Sequence, residues 1–196
     1  MTVPADATRR RLRTAALELF VEQGVVETTT RDLAKRAGIA EGTIYRHFES
    51  KDELVRDLFR DHYVRFGAEL NRIQAETPGG IDDKLRAMIA FMCRLYDEDP
   101  TLYRFLLLVQ HAALPNIRTA PNSPAVIFRN LVSRAIEQGE IPEQNPALVA
   151  SMMLGAIIQP ALSLIYGSLT GAMSDFAVAI ANACAALLRA PKQRAA

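Results

Sequence analysis

Between positions 42 and 51 the chain presents Gly42, Thr43, Tyr45, Arg46, His47 and Lys51. Hydroxyl, imidazole, guanidinium and ammonium groups are the donors that phosphate oxygens accept from, and a guanidinium also matches the acceptor edge of guanine. Ile44 and Phe48 stand four apart and mark the buried side of a helix, which leaves the donors on its other side. Gly42 lets a foreign backbone come close. Upstream, Thr29 and Arg31 add a further hydroxyl and guanidinium. The candidate contacts to double-stranded DNA are therefore Thr29, Arg31, Gly42, Thr43, Tyr45, Arg46, His47 and Lys51. Thr29, Thr43, Tyr45, His47 and Lys51 are expected to grip phosphates; Arg46 and Gly42, with Arg31 nearby, are expected to read base edges.

Other chemistries lack their residues. The three histidines, His47, His62 and His111, stand far apart, with no H-E-x-x-H, nucleophile elbow or phosphate-cradling glycine loop beside them. The acidic runs Asp82-Asp83 and Asp97-Glu98-Asp99 fall at helix ends, where caps and the helix dipole explain them. Cys93 and Cys184 have no metal-ligand spacing and sit in apolar helical patterns, as reduced core thiols do. No enzyme, metal or cofactor is expected. The N-terminus MTVPADATRRR has no apolar run of the signal-peptide kind, so a cytoplasmic location is expected.

Positioning these groups requires two short helices around a turn. Leu33, Ala34 and Ala37 form an apolar stripe that stops at Gly38, with Ile39 placed to pack back on it. Before them, Leu12, Ala15, Ala16, Leu19 and Phe20 make an amphipathic helix closed by Gly24. Ser50 and Glu53 form an S-x-x-E capping box that opens a third helix. Arg9, Arg10, Arg11 and Arg13 form a basic patch and are expected to reach phosphate or a minor groove; a net charge of +1 does not oppose this, because a small module needs only a local patch.

On Gly24, Thr29, Thr30, Asp32, Ala34, Ala37, Gly38, Gly42, Thr43, Tyr45, His47, Phe48, Lys51 and Leu54, the first quarter of the chain resembles the DNA-binding domain of the TetR family of transcriptional regulators. One departure is Ala40, where the family often has serine; a side-chain N-cap, typically worth ~1 kcal/mol, is lost there unless Glu41 or a bound phosphate compensates. The resemblance implies an all-α protein of about nine helices: a three-helix helix-turn-helix domain at 1–50, a connecting helix from 51 to about 76 whose pendulum-like tilt carries the signal, and a helical ligand-binding and dimerisation domain at 81–190.

The remaining pattern is helical throughout. Glu76-Thr77-Pro78-Gly79-Gly80 breaks the connecting helix, and residues 113–124, with three prolines, read as a loop. Large soft side chains suggest a pocket for a small hydrophobic effector, with Met88, Met92, Tyr96, Tyr103, Phe128 and Met153 as lining and Gln110, His111 and Gln159 as polar contacts. From 144 to 174 no residue is charged, but Pro146, Gln159, Pro160, Gly167 and Gly171 interrupt the run, which argues against a membrane span. Two helices, about 146–169 and 173–189, are apolar nearly all round and are expected to face a second copy through Leu154, Ile158, Ile165, Phe176, Ile180, Ala183 and Leu187. The function expected is that of a homodimeric, ligand-responsive regulator, most simply a repressor on a palindromic operator. An enzyme, or a helical module that binds protein instead of DNA, are the competing classes.

Overall fold

The computed structural model describes residues 5–113 and 121–189, and every regular element among them is a helix. In order they are α1 (Ala5–Glu22), α2 (Thr30–Ala37), α3 (Glu41–Ile44), α4 (Lys51–Glu76), α5 (Ile81–Glu98), α6 (Pro100–Ala113), α7 (Pro124–Glu137), α8 (Pro146–Ile165) and α9 (Ala177–Leu188), with a short 3-10 segment, Met173–Phe176, before α9. Two compact units result, one from residues up to Tyr63 together with α6 from Thr101, the other from Val64–Pro100 and the chain after α6.

In the first unit the α1 stripe predicted from spacing is buried: Leu12, Ala15, Ala16, Leu19 and Phe20 meet Leu33, Ala34, Ala37, Ile44 and Phe48. The division between the two compact units falls within α4, after Tyr63. The first turns of α4 contribute Leu54, Val55, Leu58, Phe59 and Tyr63 to this core. α6 joins it through Phe105, whose ring lies 6.3 Å from Phe20 and 5.9 Å from Phe59. Aromatic burial thus draws into this unit a helix that lies some forty residues further along the chain.

The second unit packs α5 on α9, α7 on α8, and α8 on α9. Its core is Leu85, Met88, Ile89, Met92 and Cys93 of α5 with Phe128, Leu131 and Val132 of α7, Met153 and Ile157 of α8, and Ile180, Cys184 and Leu188 of α9. Burial raises both thiols to about 11, so neither is a reactive thiolate. Helix starts are capped from near and far. Ser123 Oγ accepts from Val126 N at 3.2 Å, and Asn145 Oδ1 accepts from Ala147 N and Leu148 N, each ahead of a proline that suits the first turn. Gly80 has no side chain to cap α5, and Glu140 supplies the acceptor, taking Ile81 N at 2.7 Å. Asp97 at the other end of α5 accepts from Met173 N at 2.8 Å and Ser174 N at 2.9 Å, fixing the 3-10 segment.

Gly67 of α4 is buried, and a Cβ there would meet the Asn122 carbonyl oxygen at 2.0 Å. Backbone here lies directly on backbone. Helix α8 ends at Ile165, earlier than the expected 169, and Gly167 and Gly171 then take positive φ, a conformation that suits residues without a Cβ. Of the expected loop 113–124, positions 114–120 lie outside the described residues.

Candidate nucleic-acid interface

The helix-turn-helix is assembled by local capping. Thr29 Oγ1 accepts from Asp32 N at 3.1 Å, while Thr29 N donates to Asp32 Oδ2 at 3.0 Å, a reciprocal box that opens α2. The Thr29 hydroxyl donates to the same carboxylate at 2.6 Å, and these bonds hold the Asp32 carboxyl below its ordinary range. Gly38 closes α2 in the left-handed region at φ 63°, and Ile39 N reaches back to Ala34 O at 3.0 Å. Arg11 completes this end, with Nε donating to Ala37 O at 3.0 Å and Nη2 to Gly38 O at 2.7 Å.

Helix α3 is a single turn, shorter than expected. Ala40 offers no side-chain cap, and Gly42, Thr43 and Ile44 are weak helix formers. Residues 45–47 nevertheless continue the rotation through turns, with His47 N and Phe48 N both donating to Ile44 O. Ile44 and Phe48 are buried, Thr43 and His47 half-buried, and Gly42, Tyr45 and Arg46 exposed. Tyr45 is 56% exposed, high for an aromatic ring. Arg31, Tyr45 and Arg46 make no side-chain hydrogen bond or ion pair among the described residues. Their donors point nowhere within the fold.

Several expected contacts turn out to hold the unit together. The Thr29 hydroxyl proton is given to Asp32 within the unit. Lys51 Nζ donates to Val25 O at 2.7 Å, Thr28 O at 2.8 Å and Val26 O at 3.3 Å, which occupies an ammonium's three protons on the α1–α2 turn. The arginine patch is likewise internal. Arg9 and Arg13 pair with Asp57, Arg13 also with Asp61, and Arg9 lies 5.3 Å from the Phe48 ring centroid. Only Arg10 of the four makes no such contact among the described residues. The Ser50–Glu53 box is half formed: Glu53 N donates to Ser50 Oγ at 3.1 Å, but the Glu53 carboxylate takes Glu49 N. Sequence offered Glu41 only as a substitute for the missing cap at Ala40. Its Oε1 accepts from the Thr30 hydroxyl at 2.7 Å, joining α3 to α2 on the exposed face.

The residues expected around an effector divide. Met88, Met92, Tyr96, Phe128 and Met153 share the core of the second unit. Tyr103 is buried in the first unit instead, Gln159 is exposed on α8, and the side chains of Gln110 and His111 lie outside the described residues. Sequence reading missed a polar cleft of about 290 Å³ in the second unit, lined by Asn71, Gln74, Lys84, Arg134, Gln138 and Glu140 over Leu131 and Ala135. Its polar groups come from α4, α5, α7 and the turn after α7, and share no motif.

Of the residues expected to face a second copy, Leu154, Ile158, Ile165, Phe176 and Leu187 are half-buried and Ala183 is exposed, but Ile180 is turned inward at 5% exposure. The uncovered face runs through Leu148, Gly155, Gln159 and Tyr166 of α8 and its end, and Val178, Ala179, Asn182, Ala183 and Ala186 of α9. Tyr166 and Val178 are each 72% exposed. By length and composition alone α8 is apolar enough to cross a membrane.

Residues 12–58 match the family described as bacterial regulatory proteins, tetR family. The chain is 31% identical over 106 residues to the HTH-type transcriptional regulator AcrR of Shigella flexneri, covering 54% of this chain and 48% of that protein. It is 43% identical over 63 residues to the HTH-type transcriptional repressor KstR2 of Rhodococcus jostii, covering 29% of this chain and 31% of that relative. The chain thus spans about a third to a half of the length of the curated relatives it matches. Among solved structures, the regulator FadR of Bacillus subtilis in complex with stearoyl-CoA aligns with a TM-score of 0.73 at 21% identity, covering 89% of this chain and 96% of that one. The fatty acid degradation regulator FadR of Bacillus halodurans aligns at 0.76 and 18%, covering 89% and 96%. At these identities the likeness is one of fold.

Proposed function

We propose that this chain, which carries the tetR-family domain of bacterial regulatory proteins at residues 12–58, is a homodimeric transcriptional repressor that binds a palindromic operator and is released by a small hydrophobic effector. One observation carries the DNA part of this reading. Gly42 lies in α3, does not have positive φ, and has no atom within 4 Å of where its Cβ would stand. Neither backbone conformation nor packing within the fold calls for glycine there, and the open space beside it leaves room for a sugar–phosphate backbone to meet the helix. Arg31, Tyr45 and Arg46, on α2 and just after α3, are exposed and carry donors unused by the fold. The two recognition elements of a dimer would enter successive major grooves about 34–36 Å apart.

The uncovered small-residue faces of α8 and α9 support pairing with a second copy, and the Met-rich core of the second unit supports a hydrophobic effector. The Bacillus subtilis relative in fold holds stearoyl-CoA, a ligand with a long apolar chain. Release would require the effector to favour one of two conformers by roughly 1–3 kcal/mol. The test is selection from a random duplex pool at near-physiological salt, with Tyr45→Ala as control. An enriched inverted repeat that the variant does not enrich supports the reading. No enrichment by a folded dimer refutes it.

A further inference from the structure

We infer that Glu41 is a base-reading residue, its carboxylate accepting from the exocyclic amine of a cytosine in the major groove, and that Thr30 is the positioning residue that aims it. The inference rests on the DNA-binding reading above. Glu41 is exposed at the start of α3, next to Gly42 and on the side of the chain that carries Tyr45 and Arg46. Phosphates repel a carboxylate, so one set among these cationic and hydroxyl donors opposes binding unless it finds a proton donor. In the major groove the donors are the N4 amine of cytosine and the N6 amine of adenine. Beside the adenine amine stands the N7 acceptor, which repels a second carboxylate oxygen, so the acceptor-only group favours cytosine.

The geometry fits this role. Glu41 does not cap its own helix, since α3 has no side-chain cap bond. Instead Oε1 receives the Thr30 hydroxyl proton at 2.7 Å, and the other oxygen has no partner among the described residues. One oxygen is held by α2 and the other is offered outward. A long side chain restrained before binding loses less rotamer freedom when it docks.

The experiment repeats the duplex selection with wild type, Glu41→Gln, Glu41→Ala and Thr30→Val, each first checked for helicity and Tm. Wild type should enrich a repeat with cytosine in one column of each half-site. Glu41→Gln keeps an acceptor for Thr30 but adds an amide donor, and should move that column toward adenine, whose N6/N7 edge suits an amide. Glu41→Ala should flatten that column by about tenfold in base preference and leave the others unchanged. Thr30→Val should blunt the same column less. A wild-type consensus kept unchanged by Glu41→Gln and Glu41→Ala would overturn the inference and leave DNA binding intact. So would equal gains in affinity for every duplex, which would make Glu41 a general repulsive group. A wild type that enriches nothing would overturn both readings.

Discussion

The ammonium of Lys51, in the first turn of α4, donates to the carbonyl of Val25 in the turn after α1 at 2.7 Å. With the Val26 and Thr28 carbonyls as further acceptors, this lysine is a strut that holds the approach to α2, directly before the Thr29 cap. Replacing it with methionine leaves three carbonyls short of a donor. Lys51→Met should cost about 1–2 kcal/mol and lower Tm by roughly 2–8 °C. If the ammonium's protons stay on these carbonyls in the complex, the slope of log affinity against log salt should stay unchanged. A slope smaller by about 1 at unchanged Tm would restore the ammonium to the DNA.

Gly42→Ala should move stability and binding in opposite directions. Alanine in a helix is favoured over glycine by roughly 0.5–1 kcal/mol, and here the added methyl meets nothing in the protein. Thermal melts should show an unchanged or raised Tm. Operator affinity, read by anisotropy, should fall at least tenfold through collision with the DNA backbone. Full affinity in the variant would remove the argument from Gly42.

The Asp97 carboxylate gives unit two an acid-sensitive clasp. Burial alone would raise it, but hydrogen bonds from Ser174 and from the Met173 amide outweigh that effect and hold it below the ordinary 3.8. A carboxyl lowered by folding stabilises fully above its unfolded value, and this contribution disappears as pH falls through the folded one. Stability of the wild type should therefore decline as pH drops below about 4. Asp97→Asn should be less stable at neutral pH and show a shallower decline in that acid range. Parallel pH–Tm curves for the two proteins would contradict this.

Ala183 lies exposed on α9, on the small-residue face proposed to meet a second copy. A glutamate there is harmless to a monomer and buries an unpaired charge in a dimer, a cost of several kcal/mol. Sedimentation of Ala183→Glu should show monomer where wild type shows dimer, with helicity retained. An unchanged dimer would place the interface elsewhere.

What sequence made legible was local. The Gly38 stop and the Ile44–Phe48 spacing depend on residues within a few positions of one another, and each stands in the structure as expected; the equally local Thr29–Asp32 cap was there to be read but was passed over. The roles of the cations were not legible, because their partners are remote. Arg13 meets Asp57 and Asp61 from more than forty residues away, and Lys51 reaches back to Val25. A basic run by itself does not say whether its counter-charges are phosphates or carboxylates. The same distance hid α6, which enters the first unit through Phe105, and the inward turn of Ile180, since a helix apolar all round does not disclose which side its own core takes.

At Gly67 the missing side chain is a keyway. The Asn122 carbonyl sits where a Cβ would be, so rolling α4 by one residue would drive the side chain of Phe66 or Ala68 into that oxygen. The helix is keyed in rotation to the strand of chain that opens α7. Rotation of this part of α4 about its own axis would therefore have to displace the Asn122 backbone.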